Sequence, residues 1–204
     1  PCRHGKYNLC EELKVMGFQT TGVASHYFAV DAAKVTPLPD DLTYDEGAMI
    51  EPLAVAVHAI RQAGDVSGKK IAVLGAGPIG ILVAQVAKGM GADAVMVTDI
   101  SDVRLAKARE CGVDFCENTK NVDFGQALLS NFGPDKADII YDCAGNNVTM
   151  GQAVQYARKG STIILVAVFA GMAQIDLAVL NDHELDLNTT MMYRNEDYVD
   201  AIRL

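Results

Sequence analysis

The chain has 204 residues, 50% of them hydrophobic, and its 26 acidic and 17 basic side chains give a formal net charge of −9. This length and apolar content allow one large domain, or one and a half smaller ones, around a sizeable core. The negative charge argues against nucleic acid or an anionic membrane as a partner. No apolar run approaches the roughly 20 residues that cross a bilayer, and the first residues do not resemble a signal peptide. We therefore expect a cytoplasmic protein.

The five cysteines are an odd number with uneven spacing, which disfavours a disulfide framework in a chain of this size. Cys2 and Cys10 enclose seven residues in a polar stretch without apolar periodicity. They are either unrelated thiols or part of a metal site, because structural zinc needs four ligands and only two are visible. Cys111, Cys116 and Cys143 lie beside apolar residues, so we expect buried thiols there.

A strand-like pattern runs over residues 22–35 and stops at Pro37-Leu38-Pro39. Thr43-Tyr44-Asp45-Glu46 has the form of a capping box, in which the threonine hydroxyl and the glutamate carboxylate satisfy N–H groups of a starting helix. Because proline cannot donate inside a helix, we expect a break or a new first turn at Glu51-Pro52. A second helix should then run to about Gln62.

The glycine motif Lys70-Ile71-Ala72-Val73-Leu74-Gly75-Ala76-Gly77-Pro78-Ile79-Gly80 predicts a strand, a tight turn and a helix. Gly75 permits the turn, Gly77 lets the backbone approach a pyrophosphate, and Gly80 lets the helix pack against the strand. The helix N-terminus supplies free N–H groups and the positive end of a dipole. Alone the motif is weak evidence, because glycines also cluster in ordinary turns. The residues expected at a cofactor are Gly75, Gly77, Pro78, Ile79 and Gly80.

A second apolar run, Ala94-Val95-Met96-Val97-Thr98, ends in Asp99, nineteen residues after Gly80. This architecture places there a carboxylate that accepts hydrogen bonds from the adenosine ribose diol. The carboxylate would repel a 2′-phosphate, so NAD is favoured over NADP. Ile100 follows directly, and Arg104 lies about one helical turn further on, either over the adenine or where it softens this preference. An ordinary exposed aspartate after a turn is the alternative.

Strand and helix patterns alternate through the rest of the chain. The predicted strands are 70–74, 94–98, 113–116, 138–141, 161–168 and 185–191, and the predicted helices are 79–90, 102–111, 122–132, 148–157 and 195–204. Such alternation implies a parallel sheet with crossover helices. The fold class is therefore α/β, with a doubly wound, six-stranded parallel sheet of the Rossmann type.

Several stretches resemble the zinc-dependent medium-chain dehydrogenases, and the resemblance is closest to the sorbitol dehydrogenase branch. These stretches are Cys2 to Cys10, Gly47 to Leu53, Gly75 to Gly80, and Thr98-Asp99-Ile100-Ser101 through Arg104-Leu105. Cys2 and Cys10 match the third and fourth ligands of the family's structural-zinc lobe. The resemblance implies a fragment, with residues 1–42 as the remnant of a β-rich, GroES-like catalytic domain. Residues 43–204 would be a C-terminally truncated NAD-binding domain.

The resemblance also implies roles for particular residues. In the family, a carboxylate at the position of Glu51 ligates the catalytic zinc or hydrogen-bonds to its water; the alternative is a helix-start residue favoured by the dipole. The loop Asp142-Cys143-Ala144-Gly145-Asn146, at the carboxyl end of a predicted strand, would take the adenosine and its ribose. Val166, Val168 and Phe169 would run beside the nicotinamide, or form core strand and turn.

The remaining candidates are one arginine, for which the resemblance implies a role, and two histidines outside the family's motifs. Arg194 would contact a cofactor phosphate, although the Arg-Tyr order of sorbitol dehydrogenases is exchanged here. His58 lies seven residues after Glu51 on one helical face. We expect a packed histidine there rather than a metal ligand. His183 is expected in an exposed loop.

The sequence thus predicts the NAD-binding domain of a zinc-dependent polyol or secondary-alcohol dehydrogenase. Its cofactors would be NAD and zinc, its substrate a small alcohol or polyol, and its assembly a homo-oligomer, dimer or tetramer. One rival is a zinc-free reductase acting on activated double bonds, against which Cys2, Cys10 and Glu51 count. The other is a cofactor-sensing protein that keeps the fold without the chemistry.

Overall fold

The structure, a computed structural model, describes all 204 residues and contains six strands and seven α-helices. The strands are β1 (Lys70–Leu74), β2 (Ala94–Asp99), β3 (Phe115–Asn118), β4 (Ile139–Asp142), β5 (Thr162–Leu165) and β6 (Asp186–Thr189). The helices are α1 (Tyr44–Arg61), α2 (Pro78–Gly89), α3 (Asp102–Glu110), α4 (Phe124–Phe132), α5 (Asn147–Tyr156), α6 (Leu177–Asp182) and α7 (Asn195–Arg203). Strands and helices alternate from β1 onward, as the sequence pattern predicts.

All six strands are parallel and lie in the order β3-β2-β1-β4-β5-β6. The end of β1 pairs with β2 on one side and with β4 on the other, so Leu74 lies between Thr98 and Asp142. The strand order reverses between β1 and β4, and doubly wound sheets bind ligands outside the carboxyl ends of the strands at this point. The predicted doubly wound α/β fold is confirmed.

Two buried clusters cover the sheet, and alternate residues of β1 contribute to each. Val73 packs in the cluster that contains α1 and α2, whereas Leu74 packs in the cluster that contains α4 and α5. Burial on both faces explains why the strands are continuously apolar rather than alternating. Cys111, Cys116 and Cys143 pack against the first cluster, as predicted for core thiols.

Helix α1 crosses Pro52 without interruption, so the predicted break at Glu51-Pro52 is wrong. The capping box at its start is present as predicted: the N–H of Glu46 donates to the Thr43 hydroxyl and the Glu46 carboxylate accepts from the N–H of Thr43. An interior proline costs about 3 kcal/mol. Burial of the following turns, including Val57 and Ile60, offsets this cost. Neither this helix nor any other is long and apolar enough to cross a membrane.

The predicted strand over residues 22–35 is absent. Residues before α1 form only three short 3₁₀ helices, Cys2–His4, Tyr7–Leu9 and Ala32–Lys34, and one isolated bridge between Met16 and Thr20. A strand needs a hydrogen-bonding partner, and no other segment pairs with this one. Its apolar side chains are therefore exposed, with Tyr27 at 95%.

Smaller differences concern element ends. β3 begins at Phe115 rather than near 113, and β5 ends at Leu165 rather than at 168. Helix α6 was not predicted; the Asp176 carboxylate caps it by accepting from two of its N–H groups. His183 ends this helix and is half-buried, so the predicted exposed loop position is wrong.

Candidate functional site

A cleft of about 460 Å³ opens at the carboxyl ends of β1, β2 and β4, where the strand order reverses. Its lining residues come from the end of β2, from the turns that follow β1 to β4, from α3 and from α5. They are Gly75, Gly77, Thr98, Asp99, Ile100, Arg104, Thr119, Cys143, Ala144, Asn146, Val148, Thr149 and Gln152. Seven of the predicted cofactor residues are among them: Gly75, Gly77, Asp99, Ile100, Arg104, Cys143 and Ala144.

The glycine turn forms the centre of the cleft. Gly75 has a φ of +104°, which favours glycine, and its N–H donates to the carbonyl of Thr98 at 2.7 Å. A Cβ on Gly80 would overlap the carbonyl of Gly75, so only glycine lets α2 start this close to the turn. A Cβ on Gly77 would meet no atom within 4 Å, which leaves open space above the backbone. An anion fits this space, because the first turn of α2 presents free N–H groups there.

Pro78 and Ile79 form the start of α2 behind this turn and do not line the cleft. Pro78 is exposed in the first turn of the helix, where its missing N–H costs no hydrogen bond. Ile79 packs against the first core cluster. Both residues therefore lie at the predicted helix N-terminus, next to the space above Gly77.

Asp99 ends β2 with its carboxylate 8% exposed at the edge of the cleft. One oxygen accepts from the N–H of Ala76 at 2.8 Å and the other from the N–H of Ser101 at 2.9 Å. These bonds tie the carboxylate to the glycine turn and to the start of α3. Each oxygen keeps a further lone pair, so the group can still accept from a diol. The alternative of an ordinary exposed aspartate does not describe this side chain.

Arg104 lies beside Asp99 at the mouth of the cleft. Its Nη1 atom is 3.7 Å from the nearer carboxylate oxygen, and 62% of the side chain is exposed. Such an exposed pair contributes little to stability. The guanidinium is therefore free to turn toward a ligand in the cleft, and both roles considered for it remain predictions.

The loop after β4 forms the opposite wall. Cys143 and Ala144 line the cleft, and Gly145 follows with a φ of +68°. Burial raises the pKa of the Cys143 thiol, and the neighbouring Asp142 raises it further, so this cysteine is a neutral packing group rather than a nucleophile. Sequence interpretation placed Asp142 in this loop without a role of its own and did not single out Thr149; both residues hold the loop from below. A carboxylate at the end of an apolar strand was the available signal.

The segment after β5 is close to this loop but does not line the cleft. The N–H of Val166 donates to the main-chain carbonyl of Asp142 at 2.9 Å. Val168 is 89% exposed, and Phe169 packs against the second core cluster. The structure thus leaves Val166, Val168 and Phe169 outside the cleft, beyond Gly145.

Arg194 lies elsewhere, in a second cavity of about 700 Å³ between the N-terminal segment, α1 and the start of α7. Its guanidinium is near Glu196, at 3.4 Å, and its Nε atom is buried without a hydrogen-bond partner. The structure therefore does not bring Arg194 together with the glycine turn. Its contact with a cofactor phosphate remains a prediction.

Glu51 is exposed on α1, near the hydroxyl of Tyr193. Burial, the Tyr198 hydroxyl and the Glu51 carboxylate together raise the pKa of Tyr193. A catalytic zinc needs three protein ligands, and no group of three histidine, cysteine, aspartate or glutamate side chains in the chain has metal-binding geometry. Glu51 alone does not form a catalytic zinc site.

Cys2 and Cys10 lie side by side at the N-terminal end, in a shallow pocket of about 360 Å³. A hydrogen bond with the Cys10 side chain raises the pKa of the Cys2 thiol, with small contributions from burial and the charge of Cys10. Both cysteines are free. Two adjacent thiols are half of a tetrahedral zinc site, and the chain brings no third ligand into position.

His58 is packed, as predicted. It is buried on α1, and its Nδ1 atom lies 2.8 Å from the Asp197 carboxylate. The same carboxylate accepts from Arg61 at 2.6 Å and from the N–H of Arg194 at 2.6 Å. Asn8 contacts the other ring nitrogen of His58, at 3.4 Å. This network joins the N-terminal segment, α1 and α7.

Comparison with known proteins places this cleft in a family. The profile described as zinc-binding dehydrogenase matches residues 78–204. The chain is 32% identical to L-idonate 5-dehydrogenase of Vitis vinifera over 199 residues, which are 95% of this chain and 54% of that protein. It is 33% identical to sorbitol dehydrogenase of Bos taurus over 198 residues, 95% of this chain and 55% of that protein.

Solved structures agree. A zinc-binding dehydrogenase of Sinorhizobium meliloti 1021, solved with NADP, superposes with a TM-score of 0.90 at 26% identity, covering 98% of this chain and 60% of that one. An alcohol dehydrogenase of Escherichia coli CFT073, solved with NADH, has a TM-score of 0.90 at 29% identity, covering 98% of this chain and 59% of that one. The chain belongs to the zinc-binding dehydrogenase family. It spans about half the length of the curated relatives that it matches.

Proposed function

We propose that this chain is the NAD-binding part of a zinc-dependent dehydrogenase that moves a hydride between an alcohol or polyol carbon and NAD. The proposal rests on one observation: the Gly75 turn, the open space at Gly77 and the carboxylate of Asp99 all lie in one cleft. A dinucleotide site needs these three parts: a tight turn, a binding site for the pyrophosphate and a hydrogen-bond acceptor for the ribose diol. The domain division at residue 43 is part of the same proposal.

The cofactor would lie across the carboxyl ends of the strands. Asp99 would accept from the adenosine ribose, with Ile100 and Arg104 beside the adenine, and the first turn of α2 would hold the pyrophosphate. Ala144 and Gly145 would flank the adenosine side of the cofactor. The segment Val166–Phe169, which lies beyond Gly145, would run beside the nicotinamide.

NAD is the proposed form because of the position of Asp99. A 2′-phosphate would meet a carboxylate that is already tied to two backbone N–H groups and cannot swing away. Arg104 is the one cation in the cleft, and it would offset part of this repulsion. The relatives solved with NADP and with NADH support both forms at the level of the family.

Zinc is proposed for the whole protein, and this chain does not hold either site alone. Cys2 and Cys10 would supply two ligands of a structural zinc, and Glu51 would supply one ligand or a hydrogen bond at a catalytic zinc. A bound catalytic zinc polarises an alcohol oxygen and eases loss of its proton. Within the chain, Tyr193 and Tyr198 would orient the Glu51 carboxylate.

The proposed substrate is a small alcohol or polyol, since the relatives include L-idonate 5-dehydrogenase and sorbitol dehydrogenase. A homo-oligomer in the cytoplasm is proposed with it, without nucleic acid or membrane as a partner. The formal net charge of −9 supports the exclusion of these polyanionic partners.

The test is a titration of the purified chain with NADH and NADPH, followed by nicotinamide fluorescence. We expect NADH to bind about tenfold or more tightly, since a 2′-phosphate near a carboxylate costs roughly 1 to 3 kcal/mol. Asp99→Ala should narrow the difference, and Asp102→Ala, on the exposed first turn of α3, should not. Equal affinity of the wild-type chain for the two cofactors would refute the role of Asp99.

A further inference from the structure

We propose that Asp142 is the positioning residue of the nucleotide cleft. Its carboxylate holds the loop that forms one wall of the cleft, and its main-chain carbonyl holds the segment after β5. This inference rests on the proposed function, because it assigns Asp142 a part in the binding of NAD. Asp142 itself does not line the cleft and would not touch the cofactor.

The carboxylate of Asp142 is fully buried at the carboxyl end of β4. One oxygen accepts from the N–H of Ala144 at 3.0 Å and from the N–H of Gly145 at 3.1 Å. The other oxygen accepts from the Thr149 hydroxyl at 3.3 Å. Three donors from the loop and from α5 therefore converge on one side chain.

The loop that these bonds hold lies close to its neighbours on both sides. A Cβ on Gly75 would lie 3.1 Å from the nitrogen of Ala144, so there is little room between the loop and the glycine turn. On its other side, a Cβ on Gly145 would lie 2.6 Å from the Cβ of Ala167. The position of Ala144 thus sets the width of the cleft opposite Gly75.

The main chain of Asp142 reaches the proposed nicotinamide side. Its carbonyl oxygen accepts from the N–H of Val166 at 2.9 Å and from the N–H of Ala167 at 3.0 Å. One residue therefore connects the wall beside the adenosine with the segment proposed to run beside the nicotinamide. A change in its side chain should alter cofactor binding more than it alters the rest of the fold.

The effect of the charge on Asp142 can be tested separately, because the groups around it do not change charge. No cation pairs with it; burial raises its pKa, while the N–H groups of Gly145 and Ala144 and the Thr149 hydroxyl lower it to a smaller extent. Its neighbours on β1 and β5 are Leu74 and Leu165, and α5 presents Thr149, none of which titrates. The titratable residues next to it in the chain are Tyr141 and Cys143, and burial raises the pKa of both, so both stay neutral.

The experiment measures NAD⁺ affinity of the full chain by calorimetry for the wild type, Asp142→Ala and Asp142→Asn. Asp142→Ala should bind about tenfold or more weakly, because two backbone N–H groups lose their acceptor. Asp142→Asn should stay within about threefold, because its amide oxygen still accepts from both N–H groups. Its amide NH₂ can donate to Thr149, whose hydroxyl also lies 3.1 Å from the carbonyl of Asn146.

The matched control is Asp123→Ala. Asp123 also accepts from a backbone N–H, that of Gln126, and from a hydroxyl, that of Tyr156, but it lies outside the cleft. It should lower the unfolding temperature without changing NAD⁺ affinity. An Asp142→Ala variant that binds within about threefold of the wild type would overturn the inference, as would an equal loss of affinity in Asp123→Ala.

A pH series provides a second test that does not depend on Asp142→Ala folding. Protonation of Asp142 replaces a charged acceptor with a neutral carbonyl oxygen, as Asp142→Asn does, so wild-type affinity should fall with pH toward that of Asp142→Asn and no further. A wild-type affinity that falls below that of Asp142→Asn at low pH would overturn the inference, whereas a wild-type chain that binds no NAD⁺ at pH 8 would instead overturn the proposed function.

Discussion

Residues 44–204 and the first 43 residues behave as two different kinds of chain. From α1 onward the helices cover a six-stranded sheet and fill two buried clusters. Among the first 43 residues only Asn8 is buried, and no strand forms. Both regions have apolar sequence patterns, so hydrophobicity alone does not explain the difference.

The difference lies in where each region finds its hydrogen-bonding partners. Each strand from β1 to β6 pairs with another strand of the same region, and each crossover helix returns the chain to the sheet. The apolar pattern over residues 22–35 has no such partner, so its backbone groups stay in water. The cofactor cleft belongs entirely to the first kind of region, whereas Cys2 and Cys10 belong to the second.

The largest expected effect concerns catalysis. If it is not observed, the division between a cofactor-binding region and a region with incomplete metal sites is wrong. The purified chain should bind NAD yet produce no NADH above the background rate with sorbitol, with or without added zinc. The cleft holds the glycine turn, the open space at Gly77 and the Asp99 carboxylate, but Glu51 belongs to no group of three possible metal ligands. Without a Lewis acid an alcohol keeps its proton near neutral pH, and hydride loss is then much harder.

Turnover is measured by absorbance of NADH, with a full-length sorbitol dehydrogenase as the positive control. Binding of NAD without turnover is the expected result. Appreciable turnover by the purified chain would mean that this polypeptide assembles its own catalytic site, against the geometry around Glu51.

The next effect tests the close approach of α2 to the glycine turn. Gly80→Ala should destabilise the fold by about 3 kcal/mol or more, because the new Cβ would overlap the backbone carbonyl of Gly75 and backbone cannot move aside cheaply. Gly151→Ala on α5 is the matched control, since a Cβ there meets no atom within 4 Å. It should stabilise the chain by up to about 1 kcal/mol. Urea unfolding of the two variants measures both values, and a Gly80→Ala variant as stable as the wild type would contradict this account of the turn.

The sequence predicted the region from α1 onward well and the earlier region poorly. Glycine spacing, apolar runs and Asp99 are local signals, and they located β1, α2, β2 and most of the cleft. Asp142 was predicted only as part of the cofactor loop, because its contacts with Ala144, Thr149 and Ala167 form only when the chain is folded. The continuity of α1 through Pro52 and the absent strand before it depend on long-range packing and pairing, which local patterns do not contain.

A third effect concerns the contact between the two regions. Asp197→Asn should lower the unfolding free energy by about 2 kcal/mol, because it weakens a buried carboxylate shared by His58, Arg61 and the N–H of Arg194. Asp200→Asn is the control. It also removes a partner of Arg61, but it is partly exposed and should cost less than about 1 kcal/mol.

The stability that Asp197 contributes should also depend on pH. Burial raises the pKa of Asp197, but hydrogen bonds from His58 and Arg194 and the charge of Arg61 outweigh it and hold the pKa below its usual range. The stability that this carboxylate contributes is therefore present above about pH 3.9, the ordinary aspartate pKa. It is lost as pH falls through the lowered pKa of the folded state. Unfolding temperatures between pH 2.5 and 6 should fall less steeply for Asp197→Asn than for the wild type, and identical slopes would exclude this linkage.

The smallest expected effect is the change in unfolding free energy when an N-terminal cysteine is replaced. It compares a cysteine of the first region with one of the second. Cys2 is exposed and its side-chain partner is the Cys10 thiol, so Cys2→Ser should change the unfolding free energy by less than about 0.5 kcal/mol. Cys116→Ser, whose thiol packs against the core, should cost more. The same two cysteines should hold zinc only weakly. With two ligands in place, zinc should be removed readily by dialysis against a weak chelator, because a stable structural site needs four. Elemental analysis measures the zinc that remains in the dialysed chain. One tightly held zinc per chain, lost in Cys2→Ser together with stability, would mean that the first region organises its own metal site.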